Sequence, residues 1–212
     1  MLKDWNFWCS MITALTAILA LWLSVHQTAL SNKQHLFDRR LKAYMLINGI
    51  AALCKENYMW LSAKREREPQ FANDDNFVWL TNNSNMESQA DAIKHPLAQP
   101  FHKDFLRKRE ELRNTAMEVE VIFKGKEALA YGDFLRAYEN ALGKMYQYQI
   151  IIDKMQKENE KHAMTVEAAA KMFSEEEYRD KLYDALESLR KTYDIVTQDR
   201  MERQLKKQLE LV

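Results

Sequence analysis

The chain opens on an unbroken apolar run, Trp5 to Val25, with no charged residue in it. At 1.5 Å per residue a helix over this run is about 31 Å long, the thickness of a bilayer's hydrocarbon core. Beyond it the pattern becomes periodic. Phe37, Leu41, Tyr44, Ile47, Ala51, Cys54, Tyr58 and Leu61 recur every three or four residues, which predicts one face of a helix. No proline interrupts residues 24–67. The apolar helix is therefore expected to run on into this one and to end by Pro69, since the residue before proline disfavours helical backbone. Phe105, Leu112, Ala116, Val119 and Phe123 mark a second body helix. Phe134, Tyr138, Ala141, Met145, Tyr148, Ile152 and Met155 mark a third, whose polar face carries it towards Phe173. Tyr178, Leu182, Ala185, Leu189 and Val196 mark a fourth, opened by Ser174 and Glu177 at capping-box spacing. The tail after Thr197 is expected to fray or to dock on a partner.

These elements divide the chain. Residues 1–4 are a short extracytoplasmic N-terminus, 5–25 a transmembrane helix and 26–68 a long juxtamembrane helix. Residues 69–101 are an irregular loop with a short helix near Met86–Lys94, and 102–212 hold the remaining helices. The expected fold is all-α: an N-terminal transmembrane helix continuing into a cytoplasmic antiparallel bundle of about four helices. The aromatics of the loop, Phe71, Phe77 and Trp79, are expected to plug the core.

The anchor is read against two alternatives. A cleaved signal peptide has a shorter apolar region and a small-residue cleavage site, which "LWLSVHQ" lacks. A buried core helix seldom places so uniform an apolar run at the start of a chain. Trp5 and Trp8 mark one membrane interface and Trp22 the other. Lys33, Arg39, Arg40 and Lys42 follow the run and only Lys3 precedes it, which puts the body in the cytoplasm and the N-terminus outside. These cations are also expected to meet anionic headgroups. Ser10, Thr13, Ala17, Ala20 and Ser24 form a stripe of small residues at heptad spacing, continued by Gln27, Ser31 and Gln34. Such a stripe lets two helices approach closely and cross left-handedly, so it is the expected self-association face.

Composition narrows the function. The chain has 31 basic and 31 acidic residues, not the basic excess of a nucleic-acid binder. Four glycines, at 49, 125, 132 and 143, leave no phosphate-cradling loop. The histidines at 26, 35, 95, 102 and 162 are scattered, and Glu158 to His162 gives a single Glu-x-x-x-His, not the Glu-x-x-His of di-iron bundles. Cys9 and Cys54 form no metal or disulfide pattern. No catalytic residue, cofactor or metal is expected, and Lys64, Arg65 and Arg67, like Lys103, Arg107, Lys108 and Arg109, read as helix ends and solvated faces.

The stretch "LFDRRLKAYMLI" after the apolar run resembles the LF-[DE]-[KR]-R segment of a widespread group of small bacterial single-pass membrane proteins. Ile122 to Glu127, "IFKGKE", is similar to their later LFGKE segment, departing by Lys124 before Gly125; the loop at 69–101 is also longer. The resemblance implies a single-pass, mostly helical, cytoplasm-facing protein. That group is functionally uncharacterised and supplies no site residues. The expected function is thus a membrane-anchored, non-enzymatic interaction protein whose partners are the lipid bilayer, a second copy and a cytoplasmic protein. The alternative is a membrane-perturbing, pore-like effector of a bacterial defence or toxin system, such as an anti-phage effector, acting through oligomerisation of its transmembrane helix. An enzyme without a recognisable motif is the third.

Overall fold

The computed structural model describes residues 2–62 and 79–209. In chain order the elements are α1 (Leu2–Glu56), α2 (Tyr58–Leu61), one 3-10 turn (Trp79–Thr81), α3 (Glu87–Lys94), α4 (Phe101–Ile122), α5 (Lys126–His162), α6 (Val166–Met172), α7 (Glu175–Val196) and α8 (Asp199–Lys207). Among the described residues there is no strand, so the protein is all-helical. One helix, α1, is apolar and long enough to cross a membrane.

The body is built around α5, which packs most extensively on α7 and α4. All seven positions of its predicted stripe, Phe134 to Met155, are buried. Side-chain pairs set the directions. Arg136 meets Glu120 at 2.5 Å and Arg109 meets Glu139 at 2.6 Å, so α4 runs antiparallel to α5. Tyr131 donates to the Val196 carbonyl at 3.3 Å and Tyr148 donates to Glu175, so α7 does too. Two mid-helix glycines make room for the α4 charges. A Cβ on Gly143 would lie 2.7 Å from an Arg109 nitrogen, and one on Gly132 would lie 2.5 Å from a Glu120 oxygen. Each glycine costs about 1 kcal/mol relative to alanine in a helix interior, and the close crossing offsets that cost.

The first half of α1 is not covered by any described element: every described side chain from Trp5 to Leu36 is exposed. Its second half lies against α4, α5 and α7. Here the predicted stripe is rotated by about one residue. The buried line runs Ala43, Ile47, Ile50, Cys54 and Leu61, while Phe37, Leu41, Tyr44 and Ala51 are half-buried beside it. The face is wider than one stripe because α1 is flanked on both sides. The helix breaks at Asn57, ahead of Pro69. The Asn57 amide donates to the Leu53 carbonyl at 2.9 Å and the Trp79 carbonyl at 3.3 Å.

The region predicted as a loop is partly core. Leu80, Met86, Ala92 and Ile93 are fully buried, and Trp79 packs half-buried against them. Phe71, Phe77 and the Lys64, Arg65 and Arg67 cluster lie outside the described residues. Asn83 ties this segment to α1: its amide donates to the Gly49 carbonyl at 3.2 Å and its oxygen accepts from the Asn85 and Met86 amides at 3.0 Å.

Three local expectations are corrected. The third body helix stops at His162, because Ala163 takes a left-handed conformation (φ 47°) and Thr165 caps a separate α6. The Ser174 capping box does not form. Ser174 is itself left-handed (φ 52°), which turns its hydroxyl away from the helix end, and Glu177 pairs with Lys181. The tail does not fray up to Leu209. It forms α8, buries Leu205 and docks on the chain's own body.

Candidate membrane anchor and its joint to the body

The candidate anchor and the first packed stretch of the body are parts of one helix, α1, so the candidate site is the run of α1 from Trp5 to Tyr44. Its apolar part is uncovered all round. Leu21 is 68% exposed, Trp22 63% and Leu23 51%, and three successive residues of a helix point about 100° apart. Water does not tolerate a patch of this size on a free-standing helix. Trp5, Trp8 and Trp22 are equally uncovered.

The small-residue stripe Ser10, Thr13, Ala17, Ala20 and Ser24 is exposed, turned about 110–120° around α1 from its body-facing residues Ala43, Ile47 and Cys54. Its polarity is partly spent within the helix. Within the stripe, Thr13 donates to the Cys9 carbonyl at 2.9 Å; beside it, Thr16 donates to the Thr13 carbonyl and Thr28 to the Ser24 carbonyl. A threonine bonded to its own backbone has no proton left for a neighbour or for a wet lumen.

The predicted basic cluster divides into two kinds of residue. Lys33 and Lys42 are exposed. Arg39 and Arg40 are engaged by the body. Arg39 meets Glu118 of α4 at 2.5 Å. Arg40 donates through Nε to the Ile122 carbonyl and through Nη1 to the Gln208 carbonyl, both at 2.8 Å, and its guanidinium lies 5.8 Å from the centre of the Phe123 ring. Those two carbonyls are the last residue of α4 and the C-cap of α8. Helix C-termini leave unpaired carbonyls and carry partial negative charge, so one planar cation satisfies two helix ends at once.

Distance separates the anchor from this joint. Arg40 lies about 22 Å beyond Val25 along α1, whereas the headgroup layer beyond the hydrocarbon is only about 5–8 Å deep. Screening in physiological salt acts over about 8 Å. With Trp5–Val25 in the hydrocarbon, Lys33, about 12 Å out, is the cation within reach of the headgroups. In the structure Arg39 and Arg40 join α1 to the body, Arg39 through a side chain that stays 60% exposed.

Other charged groups pair with one another along the body helices. Arg107 pairs with Asp104, Lys108 with Glu111, and Arg109 with Arg113 encloses the buried Glu139. A second buried cluster, unmarked in the sequence, joins Tyr148, Glu175 and Arg179. Burial pushes the Cys54 thiol up to about 12, far from thiolate chemistry at neutral pH. Among the described residues, no group of three or more His, Cys, Asp or Glu side chains is placed to hold a metal ion. Sequence reasoning missed Gln208, whose amide clasps the Lys124 backbone on both its N–H (2.7 Å) and its carbonyl (3.0 Å). A lone glutamine in a polar tail carries no signal of this.

Compared with protein-family models, curated proteins and solved structures, the chain matches none. The functional reading therefore rests on the geometry of this chain.

Proposed function

We propose that the chain is a membrane-anchored, non-enzymatic interaction protein. The first half of α1 crosses the plasma membrane once, with the N-terminus outside, and the body is a cytoplasmic antiparallel helical bundle that self-associates or binds a protein partner. The observation that carries this reading is the uncovered apolar half of α1, continuous as one helix with a half that is packed into the body. The excess of Lys and Arg after the run supports the orientation.

Fractionation and protease protection of the full chain test it. The chain should stay in the inner membrane after alkaline carbonate washing. Its body should resist external protease in intact spheroplasts and be digested after rupture. Crosslinking in membranes should give a homo-oligomer or one discrete mixed adduct. Release by carbonate, digestion in intact spheroplasts, or a strictly monomeric chain with no adduct would each sink the reading.

The pore-like alternative has one observation in its favour, the uncovered stripe, and one against it, the Thr13 hydroxyl of that stripe turned onto its own backbone. Depolarisation on overexpression, abolished by Ala17→Leu with Ala20→Leu, would establish it instead.

A further inference from the structure

α8 is attached to the body in an unusual way. It is nine residues long, far too short to hold its shape alone in water. It lies alongside α1: Glu202 lines the same cavity as Asn48, Ala51 and Ala52, and its last turn reaches Arg40. Its C-terminus therefore points towards the anchor. Only Leu205 of α8 is fully buried. Beneath it the packing is incomplete. An open cavity of about 470 Å³ lies between α1, α5, α7 and α8, with Ile47, Tyr131, Tyr193 and Val196 among the residues lining it. Polar bonds at the far end do what packing does elsewhere in the body. The Gln208 carbonyl accepts from Arg40, and the Gln208 side chain clasps Lys124. The same Arg40 holds the end of α4. Anchor joint, α4–α5 turn and C-terminal helix thus meet at one guanidinium.

We propose that α8 is a strap, closed over the groove between α1, α5 and α7 and latched by Arg40, so that a shift of α1 against the α4–α5 turn releases it. Among the described residues, Arg40 is the one that belongs to α1 and bonds both other parties, so a displacement of α1 changes its bonds to both. Release would uncover Leu205 and the groove floor while α4, α5 and α7 keep their mutual packing. The strap adds regulation to the proposed interaction protein. Its test reads the strap alone and does not depend on that reading.

Hydrogen exchange of the full chain in lipid nanodiscs, read by mass spectrometry, tests it. In the native chain, amides of 199–209 should exchange at least tenfold faster than those of 134–155, through local opening. Arg40→Ala should speed 199–209 by a further tenfold or more and leave 134–155 unchanged. Arg40→Lys, which keeps the charge but not the two-carbonyl geometry, should fall between. Gln208→Ala tests the same latch from outside the core and should also loosen 199–209 alone. The proposal is overturned if α8 and α5 exchange together in the native chain. It is equally overturned if both Arg40→Ala and Gln208→Ala leave α8 unchanged, or if they speed the whole body uniformly.

Discussion

The two halves of α1 share a backbone and differ in the solvent for which their side chains are suited. From Trp5 to Val25 no residue is charged, and no other described part of the chain covers the described side chains. From Ala43 to Cys54 the buried apolar residues keep to one side, and α4, α5 and α7 cover that side. Both halves are rich in large hydrophobic residues, so hydrophobicity alone does not tell them apart. Angular distribution does: an all-round apolar helix suits a surrounding apolar medium, and a one-sided helix suits a body.

The comparison can be broken most forcefully by removing large side chains. Phe134→Ala should destabilise the body by about 3–5 kcal/mol, because it empties a fully buried site. The matched change Leu19→Ala, in the anchor, should leave the melting temperature of the body nearly unchanged. Thermal melts of both variants in nanodiscs decide it, and equal losses would mean that the anchor packs in the body after all.

Charge placement comes next. Leu15→Arg should cost about 2.5–3.5 kcal/mol of membrane insertion and shift the chain out of the carbonate-resistant fraction. Met45→Arg, on the exposed side of the body half, should alter neither fractionation nor melting.

A third contrast uses pH. Cys54 and Tyr131 are each pushed up to about 12 by burial, and Tyr138 is raised as well. The folded body therefore holds protons that the unfolded chain gives up at lower pH. Stability is full below about pH 9 and falls as pH rises towards 12. Near-UV circular dichroism should report loss of body structure in that window, while the helical signal of the anchor persists. A body melting temperature unchanged from pH 8 to 11 would show that these groups are not buried in the folded chain.

The smallest expected effect sharpens the picture of the body. Gly143→Ala should cost about 1–3 kcal/mol, since the new methyl displaces Arg109 from its place beside Glu139. Combining it with Arg109→Ala should recover part of the loss, and a strictly additive double variant would sever the proposed link.

Sequence periodicity located the helices well where one face is narrow. α5 is the clearest case, because α4 and α7 grip it and its stripe is strictly apolar. It located the face of α1 less well, since Tyr44 and Ala51 compete with Ala43 and Ile50 for the inward side. The Ser174 pattern misled because capping needs an extended backbone as well as a hydroxyl. The joint was half legible. Arg39 and Arg40 stood out as cations, yet Arg40's partners are backbone carbonyls at positions 122 and 208, and backbone has no letter in a sequence. Gly132 and Gly143 did leave a trace: glycine inside an otherwise strong helix implies that something passes close by.

The uninterrupted stretch of α1 between Val25 and Phe37 makes the anchor and the body one rotor. A helix advances about 100° per residue, so two residues inserted near Asn32 would swing the body through about 200° relative to the stripe of Ser10 and Ala17. Four would return it to within about 40°. The length of this shaft therefore sets more than a height above the bilayer. It sets the azimuth at which two bodies would face each other whenever their anchors meet.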